Sequence, residues 1–215
     1  MIAMRIDHVC YAAGPEGMRA TATRLADTLQ VSPRDGGVHP RFGTRNMVLP
    51  LADGRYLEVV EVLDHPASDK APFGQAVRAR SEQGGGWMAW VLAVDDLGDI
   101  EQRLGRDSVP GNRHTPEGVE LTWRQIGIKS LIKDPQLPFF VCWDSMEHHP
   151  STLGGDAAKL VGLHIAGDPV KIQHWLGMSD LDSLWEGEID VDFDQSQTPA
   201  LDSVVFDTVG GTVTI

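Results

Sequence analysis

Cysteine is scarce in this chain, basic residues are outnumbered, and long apolar runs are missing. Its two cysteines, Cys10 and Cys142, each sit inside an apolar, strand-like run. Buried thiols of a cytoplasmic protein are the expectation, with a disulfide as the alternative. Eighteen Lys and Arg stand against 31 Asp and Glu, a formal net charge of −13. Nucleic acids and anionic membrane surfaces both select basic patches, so neither is an expected partner. A membrane span needs roughly 20 consecutive apolar residues, and no run approaches that. The opening MIAMRIDHVCYAA lacks the order of basic, apolar and small residues that marks a secretory signal. There is no G-x-S-x-G elbow, and the glycines at 84–86 precede a strand instead of following one and opening a helix. Neither cysteine has a base nearby in sequence, so nucleophilic catalysis has no support.

What is present is a hairpin around which the rest is arranged. Residues 46–51 and 56–63 read as strands joined by Ala52-Asp53-Gly54. Glu58 and Glu61 interrupt the second strand three positions apart, and therefore on opposite faces. If one faces solvent, the other faces the interior, where a carboxylate needs a cation, hydrogen-bond donors or a proton. Glu58 is read as the inward residue and Glu61 as the outward one. Ahead of the hairpin, residues 5–12 predict a strand with Ile6, His8 and Cys10 on one face, and residues 18–29 a helix. Residues 31–41 are read as a loop or a short strand, 65–71 as a loop and 73–82 as a short helix.

The pattern recurs. WMAWVLAV at 87–94 is a strand, followed by a helix with Asp96 or a neighbour as its N-cap candidate, a turn-rich stretch at 109–118, and strands at 119–126 and 139–143. A third copy begins at 160–166, with a helix entered through Pro169 and short strands at 203–207 and 212–215. Between them lies an acidic stretch, 179–199, carrying Glu186, Glu188, Asp190, Asp192 and Asp194. It is read as exposed strand and loop, because it lacks the glycine and terminal glutamate of an EF-hand. The repeats divide the 215 residues into modules at 1–83 and 84–150 and a partial βαββ repeat at 151–215, packing with the second.

Asp7-His8-Val9, His39, Gly43-Thr44-Arg45-Asn46, Gly54-Arg55-Tyr56-Leu57-Glu58, and later Phe139-Phe140 with His149-Pro150-Ser151, resemble the vicinal oxygen chelate superfamily, and within it the glyoxalase-like domain proteins. The resemblance implies an α+β fold of repeated βαβββ modules forming curved mixed sheets around a cavity, the glyoxalase/bleomycin-resistance/dioxygenase fold. It places His8 and Glu58 at the positions of catalytic residues and metal ligands, for one divalent ion such as Zn, Ni, Mn or Fe. Such an ion polarises a substrate carbonyl or hydroxyl. The chain also departs from the pattern. Ala89 and Cys142 stand where the second module would supply ligands, and Val161 does so in the third, with His164 out of register. Either His39, His148 or His149 completes the ion site, or there is no ion and His8 and Glu58 share a proton.

Around that pair, Asn46 is expected to face the cavity and Arg45 to reach a substrate carboxylate from its rim. His39, Trp87, Trp123, Trp143 and His149 are further substrate-binding candidates. Met47, Leu49 and Trp90 are read as cavity wall or plain core, and His65, His114 and His174 as surface. The function implied is a lyase/isomerase-type or dioxygenase-type enzyme acting on a small oxygenated substrate. The alternative is a non-catalytic small-molecule binding protein of the bleomycin-resistance kind. Whether the modules pair within one chain or across a homodimer stays open.

Overall fold

The computed structural model describes residues 4–155, 157–185, 189–195 and 197–215. The first unit runs β1 (Met4–Ala12), α1 (Met18–Leu29), β2 (Arg34–His39), β3 (Thr44–Pro50) and β4 (Tyr56–Val62). Two helices, α2 (Pro66–Lys70) and α3 (Pro72–Glu82), lead to the second: β5 (Gly86–Val94), α4 (Gly98–Leu104), β6 (Val109–His114), β7 (Glu120–Ile126) and β8 (Phe139–Trp143). The chain closes with β9 (Ala158–Ala166), α5 (Pro169–Leu176), α6 (Asp182–Trp185), β10 (Asp190–Asp194), β11 (Ala200–Thr208) and β12 (Gly211–Thr214).

The first two units join into one closed barrel of order β1-β4-β3-β2-β6-β7-β8-β5. Each is a βαβββ module whose first strand lies parallel to its last, β1 on β4 and β5 on β8. The halves meet along a long antiparallel β1–β5 ladder, and at the opposite seam through a single bridge between Val38 and His114. The third repeat adds no strand to the barrel. It forms its own sheet, β10-β9-β11-β12. Leu160, Leu163 and Phe206 of that sheet share one core with Val9, Trp90 and Leu92 on the outside of the barrel.

Local chemistry explains the elements. The buried residues of α1 (Met18, Thr21, Ala22, Leu25, Ala26 and Leu29) fall on a single stripe. Its first amide, Met18 N–H, donates to Glu61 at 3.1 Å, so the outward glutamate caps a helix N-terminus. Several segments differ from the sequence reading. The turn-rich stretch contains β6, whose buried positions Gly111 and Arg113 alternate with outward ones. Residues 66–70, read as loop, are helical because Pro66 opens a turn capped by the His65 side chain. At the start of α4 the expectation of Asp96 or a neighbour as N-cap resolves to the neighbour, Leu97, while the Asp96 carboxylate accepts from Gly98 N–H at 3.3 Å. The acidic stretch contains α6 and β10, with Glu186 and Glu188 outside the described residues. Both cysteines are free. Among the described residues no helix is long and apolar enough to cross a membrane.

Candidate functional site

A cavity opens on the concave side of the barrel. It is lined by His8, His39, Phe42, Asn46, Tyr56, Glu58, Phe73, Arg113, Trp123, Gln125, Phe139, Val141 and Trp143, and leaves about 30 Å³ for the centres of water-sized groups. That space holds only a few water molecules or small substituents.

A distortion in β1 builds its polar floor. The β1–β5 pairing slips between Ile6 and His8, leaving Asp7 as the extra residue of a bulge. Strict alternation would put Ile6 beside His8 and Asp7 behind them. Instead Ile6 joins the outer core, and Asp7 is fully buried against the side chain of His8. Asp7 Oδ2 lies 2.9 Å from His8 Nδ1 and accepts from Trp143 Nε1–H at 3.2 Å. Asp7 Oδ1 lies 3.2 Å from His149 Nε2 and accepts from Arg5 at 3.2 Å. His149 Nδ1 accepts from the Ser151 amide, so its Nε2 carries the proton given to Asp7. Burial alone would raise the Asp7 pKa; the hydrogen bonds from His149 and His8 hold it well below the usual carboxylate range. A fixed anion on Nδ1 selects the His8 tautomer whose Nε2 lone pair faces the cavity.

Glu58 comes from β4, which pairs with β1 so that Cys10 lies opposite it. Its Oε2 accepts from the Cys10 thiol at 3.2 Å and stands 4.0 Å from His8 Nε2. Its Oε1 accepts from Asn46 Nδ2 at 2.8 Å and stands 3.8 Å from His39 Nε2. Burial would raise the Glu58 pKa, but His39, His8, Cys10 and Asn46 together bring it below the ordinary value. Burial and the neighbouring Glu58 push the Cys10 thiol well up, so it stays a protonated donor. His39 is the converse case: burial lowers it from 6.5 to about 4, against the pull of Glu58 and with help from Arg113 and His8. Its ring is therefore neutral at pH 7. Tyr56 stacks on His8 with ring centroids 4.4 Å apart.

Of the sequence candidates, His8, His39, Asn46, Glu58, Trp123 and Trp143 line the cavity. His149 stands behind it, fully buried on Asp7. Two candidates lie elsewhere. Arg45 alternates outward from Asn46, and its Nε donates to Glu61 at 2.6 Å on the barrel exterior. Trp87 points to the outer sheet, stacking near Phe206 and donating to the Ile215 carbonyl at 2.7 Å. Met47, Leu49 and Trp90 belong to the outer core, and His148 is an exposed neighbour of Glu147. Asp7, Tyr56, Arg113 and Gln125 are site residues that the sequence reading passed over. The Asp-His pair in β1 and the Gly-x-Arg alternation in β6 were the available signals.

His8, Cys10 and Glu58 place potential ligand atoms within 4.8 Å of one another. An imidazole lone pair backed by a carboxylate, an anionic glutamate and a thiol that loses its proton on coordination fit a divalent ion. The second half of the barrel contributes no further donor from β8. Cys142 points away, its Sγ 3.4 Å from the Asp95 carbonyl, and Val141 takes the inward position.

Comparisons with known proteins agree with this architecture. A hypothetical protein from Staphylococcus aureus has the same fold, with a TM-score of 0.71 at 14% identity, covering 95% of this chain and 91% of that one. Methylmalonyl-CoA epimerase from Streptomyces coelicolor, in complex with 2-nitronate-propionyl-CoA, matches with a TM-score of 0.45 at 19% identity over 66% of this chain and 98% of that one. The epimerase from Mycobacterium tuberculosis gives 0.42 at 14% over 65% and 86%. No curated protein matches the sequence. A family model described as a glyoxalase-like domain matches residues 6–178, and by that match, over the paired βαβββ barrel, the chain belongs to the glyoxalase-like domain family.

Proposed function

We propose that this chain is a lyase- or isomerase-type enzyme that moves a proton on a small oxygenated substrate held in the barrel cavity. The observation that carries the reading is the facing of His8 Nε2 and Glu58 Oε2 at 4.0 Å, each held from behind by a buried partner, Asp7 and Cys10. At 4.0 Å the two do not hydrogen-bond to each other. Both remain available to a group between them. Asp7 keeps Nε2 of His8 as the basic nitrogen and stabilises the imidazolium once it takes a proton. Glu58, anionic and fixed by Asn46, offers the second proton acceptor. Phe42, Phe73, Trp123, Phe139 and Trp143 exclude water, which strengthens each of these interactions.

A divalent ion, held by His8 and Glu58 with Cys10 as third donor, would supply polarisation of a substrate carbonyl or hydroxyl. With an ion bound, the lone pairs of His8 Nε2 and Glu58 would be committed to holding it; without one, the proton is carried at His8 Nε2 or Glu58 Oε2, and in both cases the chain orients the substrate and excludes solvent. A second reading, binding without turnover, is favoured by one feature, the apolar wall offered by Phe139 and Val141 of the second module.

The test is hydrogen–deuterium exchange at carbons next to a carbonyl or hydroxyl, followed by NMR in D2O over a panel of small oxo and hydroxy compounds. Metal analysis of the wild type and of His8→Ala accompanies it. Exchange that falls about 10²- to 10⁴-fold in both His8→Ala and Glu58→Gln supports the proposal. Exchange unchanged in both variants overturns it, and saturable binding without exchange by the wild type supports the binding reading.

A further inference from the structure

The cavity wall holds a buried cation with no ion-pair partner among the described residues. Arg113, on β6, is only 3% exposed and lines the cavity. Among the described residues its guanidinium has no ion pair within 4.0 Å and no hydrogen bond, and its Nε is buried without a partner. Gln125, also 3% exposed, is fixed by accepting Trp123 Nε1–H at 2.7 Å through Oε1. Trp123 can only donate, so the amide NH₂ of Gln125, in the cavity wall, is left without a hydrogen bond among the described residues. Both oxygens of Glu58 are already engaged, by Asn46 and by Cys10.

A guanidinium does not lose its proton inside a protein, and taking it out of water costs several kcal/mol unless a counter-charge meets it. Space for it is kept open. A Cβ on Gly36 would come within 3.1 Å of the Arg113 guanidinium and 2.1 Å of Asn46 Oδ1. The charge is close enough to Glu58, His39 and Tyr56 to act on all three. A group paired with Arg113 therefore sits beside the proton-transfer pair, within walls that favour an organic body.

We propose that Arg113 receives the carboxylate of a small 2-oxo or 2-hydroxy acid, with the Gln125 amide as donor to a further oxygen of the same molecule. This rests on the proton-transfer reading for the reaction, but the binding stands by itself. An arginine suits the task because its fork of N–H groups matches a carboxylate bidentately.

The experiment is a fluorescence titration of the full chain, read through Trp123 and Trp143 in the cavity wall. The probes are pyruvate and lactate, their neutral amides pyruvamide and lactamide, and inorganic phosphate. The acids are expected to bind saturably and at least about tenfold more tightly than the amides. Arg113→Met is expected to abolish that preference while leaving the melting temperature unchanged or raised, since a buried unpaired charge is removed. If the Met variant does not fold, Arg113→Lys, which keeps the charge without the fork, is expected to lose acid affinity several-fold at unchanged amide affinity. Equal binding of acids and amides, phosphate binding more tightly than either acid, or an acid preference retained without the guanidinium would overturn the proposal. Acid preference lost with Arg113, in a wild type that exchanges no protons, supports Arg113 and overturns the catalytic reading alone. Exchange that depends on His8 without any acid preference overturns Arg113 alone.

Discussion

Acidification should weaken this fold well before its carboxylates titrate, and His39 is the reason. Its ring is 4% exposed, its Nδ1 lies 2.9 Å from Thr44 Oγ1, and its surroundings are Phe42, Phe73 and Trp123. Burial lowers its folded pKa from 6.5 to about 4. The folded value lies below the unfolded one, so between these limits the unfolded chain binds a proton that the folded chain refuses. The stability tied to the neutral ring is complete above 6.5 and is lost as the pH falls towards 4. A full pH unit well inside that window costs about 1.4 kcal/mol, on the order of 2 kcal/mol between pH 6.5 and 4.5. Glu58 and Asp7 have lowered values as well, so their contribution fades only below the ordinary carboxylate range and leaves this window to His39. Urea unfolding at pH 7, 6, 5 and 4.5 measures the effect, with a fall in midpoint on the order of 1 M across the series. His39→Gln should flatten the profile. A wild-type midpoint that is level from pH 6.5 to 4.5, or an equally steep profile in the variant, would refute the assignment.

Three further perturbations test other parts of the structure. Asp7→Asn puts an amide where His8, His149 and Trp143 converge on one carboxylate; a stability loss of about 3–5 kcal/mol and at least a roughly 10²-fold drop in any proton exchange are expected. Thermal unfolding and ¹⁵N shifts of His8 measure these. Gly37→Ala, at φ +101 and with its new Cβ 1.9 Å from the His114 carbonyl, should open the β2–β6 seam and cost on the order of 3 kcal/mol or more, read by denaturant unfolding. Leu163→Ala, at a fully buried position where the third sheet meets the barrel, should cost about 2–5 kcal/mol by the same assay with the cavity geometry intact.

Much of the barrel is legible in the sequence because its signals are local. Short apolar runs mark β3, β4 and β5, apolar–polar alternation marks β7, a helical stripe marks α1, and Glu58 inside an apolar strand announces a buried carboxylate. What escaped needs knowledge that no window of residues contains. Two-residue periodicity pairs Ile6 with His8, and only the slip against β5 reveals that Asp7 is the bulged residue backing the imidazole. VPGNRH reads as a turn because Pro and Gly punctuate it. Gly111 is there because the Trp123 ring crosses it, within 2.3 Å of where a Cβ would be, and that contact joins two different strands. Arg113 was lost with its strand. Trp87 has the composition of a cavity wall, but its face is decided by the third sheet packing outside the barrel.

The two modules share a topology and divide the chemistry unequally. The first supplies His8, His39 and Glu58, the groups able to accept or carry a proton at the cavity, with Asp7 behind His8 and Asn46 donating to Glu58. The second supplies Phe139, Val141, Trp123 and Trp143 as wall, with Arg113 and Gln125 as donors. A half with acceptors and bases facing a half with donors and rings polarises any molecule placed between them. Its oxygens are drawn to the second module and its acidic hydrogen to the first. Under the reading proposed here, the orientation of the substrate then follows from the pairing of the halves. Weakening the Val38–His114 seam should therefore affect turnover more than a single lost backbone bridge would suggest, because that seam sets the distance between base and anchor.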